Sequence, residues 1–137
     1  MAARVRKVHR MLSVQRQLHR IEQYGLAELR GRLEQLDAEQ QALIAALNED
    51  DALQGLFIDG TARRLKSLSE AASKTAEESE AQAARLLEQS GRLACAERLA
   101  EAADVDALRA GERKALTETI ERLADADAQA SRKIARR

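Results

Sequence analysis

Leucines recur through the first third of the chain in steps of three and four: Leu26, Leu29, Leu33 and Leu36, then Gln40, Leu43 and Leu47. That alternation is the heptad seam, which lays one apolar stripe along a helix. Upstream the stripe continues through Met11, Val14, Leu18 and Ile21. It slips phase where two steps of four through Gly25 join Ile21 to Leu29. Such a stutter relaxes a supercoil locally without ending the helix. The spacing predicts a first helix over about residues 4–47, roughly 65 Å long at 1.5 Å per residue.

The periodicity breaks at Asn48-Glu49-Asp50-Asp51, and Gly55, Asp59 and Gly60 follow. Asn, Asp and Gly together are turn and cap chemistry, so a loop is expected over about residues 48–60. Its Leu56-Phe57-Ile58 cluster is expected to tuck against the adjoining helix ends, with Asp59 or Thr61 capping the next helix. A second helix then runs over about residues 61–134. Its seam is Leu65, Leu68, Ala72, Ala76, Ser79, Ala83, Leu86, Ser90 and Leu93, poorer in leucine than the first. Small seam residues bury less area and stabilise less. Leu116, Ile120, Leu123, Ala130 and Ile134 restore a stronger stripe near the end. Between these stripes, Asp104 to Gly111 is the weakest helical stretch, where the helix either runs through or kinks.

Folding the two helices back about the loop sets position 5 opposite about position 104, so the second helix outruns the first by about thirty residues. The predicted fold is all-α: a single long antiparallel two-helix coiled-coil hairpin over residues 1–137 with a protruding C-terminal helical arm. The stripe at Leu116, Ile120 and Leu123 has no partner in that arrangement and invites self-association through residues about 105–134, or a partner helix.

Composition sharpens this picture. The chain has no proline or tryptophan, one tyrosine (Tyr24) and one phenylalanine (Phe57), and 34% of its residues are charged. Aromatic side chains supply much of an ordinary core, so their scarcity argues for a thin Leu/Ala seam. High charge with few aromatics also fits disorder, but zero net charge and helically spaced leucines argue against it. Glu28–Arg32, Glu70–Lys74 and Glu118–Arg122 stand at i,i+4 with the acid first, each supporting a helix by about 0.2–0.5 kcal/mol. No apolar run reaches 18 residues and no secretory signal pattern opens the chain, so a cytoplasmic protein is expected.

Catalytic chemistry finds no motif here. There is no nucleophile elbow, phosphate-binding glycine loop or zinc-binding HExxH, and no cofactor or metal site is expected. His9 and His19 are ten apart and do not share a helix face as i,i+4 ligands do. Cys95, the single cysteine, is expected to pack as a small apolar residue among alanines.

Charge distribution is the feature that points outward. Before Glu22 the chain carries Arg4, Arg6, Lys7, Arg10, Arg16 and Arg20 and no acid, and its last six residues include Arg132, Lys133, Arg136 and Arg137. These cations suit a docking surface for an acidic partner. Nucleic-acid or membrane-surface binding is a second reading, weakened by the absence of aromatics from both segments. Chain ends that merely tolerate charge are the third.

A basic start, a leucine-seamed helix, a short connection and a longer second helix with a charged arm resemble the flagellar export stalk proteins of the FliJ type. The likeness covers nearly the whole chain. It is most marked from Leu43-Ile44-Ala45-Ala46-Leu47-Asn48 through Gly55-Leu56-Phe57-Ile58-Asp59-Gly60 into Leu65-Lys66-Ser67-Leu68, and in the tail from Glu112-Arg113-Lys114 to Arg122 and Gln129-Ala130-Ser131-Arg132-Lys133. The resemblance implies a non-enzymatic coiled coil that inserts into a hexameric export ATPase, promotes ring assembly and connects it to the membrane export gate and export chaperones. It implies a cytoplasmic location, peripheral at the inner face of the membrane export apparatus. The basic N-terminal helix and C-terminal arm would face the ring, which makes Arg4, Arg6, Lys7, Arg10, Arg16, Arg20, Arg113, Arg122, Arg132 and Lys133 the candidate partner-binding residues. A generic coiled-coil scaffold or secretion chaperone is the alternative.

Overall fold

The structure, a computed structural model, describes residues 2–49 and 54–136, the side chains of 54–57 excepted. Those residues form two helices that touch one another, α1 over Ala2–Glu49 and α2 over Gln54–Ala135, with no strand among them. The strong helix formers Ala, Leu, Glu, Gln and Arg fill both, and no proline interrupts the ladder of backbone hydrogen bonds.

α2 begins earlier than the turn residues suggest. Gly55, Asp59, Gly60 and Thr61 all lie within it, so neither Asp59 nor Thr61 is its cap. Of the expected loop, residues 50–53 lie outside the described residues. Ile58 is about half exposed and is not tucked away, while the side chains of Leu56 and Phe57 fall outside the description. Nor does α2 break between Asp104 and Gly111. The reason is the same in both places. A glycine or aspartate in a helix costs about 1 kcal/mol or less, whereas stopping and restarting a helix exposes two sets of unpaired backbone groups and repeats a costly nucleation.

The chain divides into two compact units, one made of Met1–Ser13 with Ala94–Arg137 and the other of Val14–Leu93. In the Val14–Leu93 unit the protected positions of α1, the half-buried Gly25 apart, run Gln15, His19, Glu22, Leu26, Leu29, Leu33, Leu36, Gln40, Leu43 and Leu47. The steps of four and three never slip, so the expected stutter at Gly25 is absent. Val14, Leu18 and Ile21, expected in the seam, are 52%, 41% and 62% exposed. Polar Gln15, His19 and Glu22 take the seam instead.

These polar groups are seated because α2 answers each of them. The Gln89 amide nitrogen donates to the Gln15 side-chain oxygen at 2.5 Å and to the Gln15 carbonyl at 3.4 Å. The Gln82 amide donates to the Glu22 carboxylate and, at 3.1 Å, to the Glu22 carbonyl. The Ser90 hydroxyl donates its hydrogen to the Leu86 carbonyl at 2.9 Å, so His19 Nε2, 3.0 Å away, is the donor to Ser90 Oγ. Gln82 and Gln89 are buried and paired, which removes most of the cost of burying an amide. Leu26 and Leu68 are the buried leucines among the described residues of this unit, and Arg64 meets Glu39 at 3.7 Å near its far end.

The layer of Gln15 and Gln89 makes a stability prediction. Gln89→Leu alone strands the Gln15 amide and should cost about 1 kcal/mol in urea denaturation. Gln15→Leu together with Gln89→Leu should recover that loss. A double variant no more stable than the single one would mean that the two glutamines do not act as a pair.

In the other unit Val8 and Leu12 of α1 and Ala96, Ala100 and Ala103 of α2 are buried. Leu12 and Ala96 are thus core where Met11, 47% exposed, had been expected in the seam. His9 Nε2 lies 2.8 Å from the Asp104 carboxylate, an exposed pair that ties the first turns of α1 to α2. Cys95 is exposed rather than packed among the alanines. From Gly111 to Arg136 every residue is exposed.

Candidate interaction surface

All ten candidate partner-binding residues are exposed. Six lie on α1, and Arg4, Arg6, Lys7 and Arg10 stand within its first three turns. No acid precedes Glu22 in the sequence, and the carboxylate of Asp104 on α2 is taken up by His9. Among the described residues none of the six is in an ion pair. The Arg6 guanidinium reaches only the Ala2 carbonyl, at 3.4 Å. Arg6 and Arg10 line a shallow crevice on α1 with Ala3, His9 and Ser13. Exposed cations outside any ion pair make an electrostatic surface available to an acidic ligand.

The cations of α2 sit differently. Arg113, Arg122, Arg132 and Lys133 are spread along the bare part of the helix, and only Arg132 and Lys133 lie in its last turn, where they favourably face the helix C-terminus. Arg122 donates to the carbonyl of Glu118 at 3.4 Å instead of to its carboxylate. That expected ion pair is therefore not closed, and neither Glu28–Arg32 nor Glu70–Lys74 is among the ion pairs of the described residues. Glu88–Arg92, at 2.9 Å, is the i,i+4 pair that does close. Where both side chains remain in water such a pair is worth a few tenths of a kcal/mol, and competition from water decides which of them close.

Apolar groups share the exposed faces. Val14, Leu18 and Ile21 form a stripe on α1 within the Val14–Leu93 unit, Met11 is exposed in the other unit, and Leu116, Ile120 and Leu123 form a stripe on α2, the latter two lining a shallow depression with Ala124, Ala126 and Asp127. Sequence reasoning found the second stripe but assigned the first to the interior. The missed signal was Gln15, His19 and Glu22, which continue the phase of Leu26 to Leu47 backwards without a slip.

Among the described residues, no three or more His, Cys, Asp or Glu side chains gather as metal ligands would, and no helix is long and apolar enough to cross a membrane. No protein-family model matches the chain, and neither do any curated protein or solved structure.

Proposed function

We propose that this chain is a non-enzymatic stalk of a flagellar or type III protein export apparatus, built as an antiparallel two-helix coiled-coil hairpin with a C-terminal arm. The hairpin reading is supported by the order of contacts within the Val14–Leu93 unit. Partners descend along α2 as positions rise along α1: Gln15 with Gln89, Glu22 with Gln82, Glu39 with Arg64. Unbroken steps of three and four along α1 support a coiled coil.

The functional reading rests on one observation above the others: exposed cations without ion-pair partners at the start of α1, with a bare α2 beyond Ala110 that is basic at its end. A stalk needs a rigid rod with groups at one end that grip a ring, and cations suit an acidic ring surface. In this reading the partners are a hexameric export ATPase, the membrane export gate and export chaperones. The protein works in the cytoplasm, at the inner face of the export apparatus, and needs no cofactor. Its exposed apolar stripes also suit a coiled-coil scaffold or secretion chaperone, which would bind exported proteins and ignore the ATPase.

Mixing the purified protein with the cognate export ATPase tests the stalk. A complex should form and hydrolysis should change. Arg6→Glu with Arg10→Glu should weaken that complex, and added salt should weaken the complex of the unaltered chain. No complex and no change in hydrolysis would remove the stalk reading.

A further inference from the structure

Two glutamine contacts in the Val14–Leu93 unit share one register. Gln89 donates to Gln15 and Gln82 donates to Glu22, and the position numbers of each pair sum to 104. Both donors are buried. The apolar layers around them do not choose that register. Leu29, Leu36 and Leu43 of α1 recur every seven residues, and α2 offers the small, half-buried side chains of Ala72, Ala76, Ser79 and Ala83. Sliding one helix along the other by a heptad therefore returns leucine to the place of leucine.

The polar layers do not survive the same slide. One heptad in one direction raises the sum to 111, which keeps a partner for Glu22 in Gln89 but sets Gln82 against Leu29 and leaves Gln15 without Gln89. One heptad the other way lowers it to 97, which keeps Gln15 with Gln82 but sets Glu22 against Thr75, whose hydroxyl already donates to the Ala71 carbonyl at 2.8 Å. Both slides also part His19 from Ser90. Each strands polar groups that the present register pairs, and a buried amide without a partner is costly. The connection between the helices does not decide the matter. A slide moves the midpoint of the pairing three to four positions, towards Asn48 one way and Gly55 the other, and both are turn-forming residues.

We propose that Gln15 and Glu22 of α1, with Gln89 and Gln82 of α2, form a register lock: they hold the two helices of this unit in one alignment, which the leucine and alanine layers alone leave free to slide by heptads. The inference rests on contacts within the Val14–Leu93 unit and not on a role in protein export. Because the lock is two polar pairs one heptad apart, moving its α1 half by one heptad moves the alignment with it.

Distances between spin labels on the full chain test this. Cys95→Ser clears the exposed native thiol, and Tyr24→Cys with Lys66→Cys places one label on each helix at exposed positions of the unit. The parent chain should give a single distance. Gln15→Leu with Leu29→Gln then moves the polar half of α1 one heptad along, so that position 29 faces Gln82 and Glu22 faces Gln89. The label distance should lengthen as one population, towards the roughly 10 Å that seven residues span along a helix axis. Adding Thr75→Gln with Gln89→Thr moves the α2 half to match, and the distance should return to that of the parent. Far-UV circular dichroism follows helicity throughout. Should the first exchange loosen the pair instead of sliding it, the proposal still requires the second to restore both helicity and the parent distance. A folded chain whose distance ignores the first exchange overturns the lock. So does a displaced or loosened pair that the second exchange fails to bring back.

Discussion

Leu26→Ala and Leu68→Ala should each destabilise the helix pair by about 2–3 kcal/mol, the low end of the range for buried leucines. Both side chains are only 6% exposed and are the buried leucines among the described residues of their unit. The figure stays low because two helices cannot seal a cavity, so the space left behind admits water instead of remaining empty. Even so, the loss is a large share of what a seam this thin can supply. Urea denaturation followed at 222 nm reads it directly. Leu87→Ala is the control, since Leu87 is 76% exposed and its loss should change stability by no more than about 0.5 kcal/mol. Equal effects at Leu26 and Leu87 would mean that the protected face has been assigned to the wrong side of the helices.

The second large effect runs the other way. Gly31→Ala with Gly91→Ala should stabilise the protein by roughly 2 kcal/mol, about 1 kcal/mol for each helix-interior glycine. Neither glycine has a positive φ, and an added Cβ at either would meet nothing within 4 Å. Alanine there removes unfolded-chain entropy without a steric charge against it. Gly25 is the contrast. A Cβ on Gly25 would lie 3.1 Å from the Gln82 amide nitrogen, which is held by Glu22. Gly25→Ala should therefore lose most of the propensity gain in displacing that amide. Thermal melts of the single variants Gly25→Ala, Gly31→Ala and Gly91→Ala, beside the double one, separate the cases. A Gly25→Ala protein as stabilised as the Gly31→Ala protein would show that the Gln82 side chain is free to move away.

Much of the fold was legible because helix formation here is a matter of local composition. A chain without proline and rich in Ala, Leu, Glu, Gln and Arg has few alternatives, and the ladder from Leu26 to Leu47 announces its own buried face. The errors came where one strong local signal hid a longer-range one. Met11, Val14, Leu18 and Ile21 look like a seam because they are apolar, yet the phase set downstream continues through Gln15, His19 and Glu22. Whether polar residues can sit there depends on Gln89, Ser90 and Gln82, some 60 to 75 residues away, and no local rule reads that pairing. Gly55, Asp59 and Gly60 misled in a similar way. Their turn preference is real but weaker than the cooperativity of a helix already running through them. At the surface, the exposed cations were legible from sequence, because charged side chains seldom sit anywhere else. Which carboxylates they face was not, as Arg122 and Glu118 illustrate.

The stretch from Gly111 to Arg136 has water on every side, and that has a consequence for how the molecule yields to heat. A helix with no neighbour across from it holds its amide hydrogens only as firmly as its own turns allow, so its deuterium uptake in the isolated chain should be fast and increase towards the end. The segments flanking Leu26 and Leu68 should still be protected when that tail has fully exchanged. Warming the isolated chain would then unravel it from the C-terminus inward, with a shallow early loss of ellipticity before the steep one.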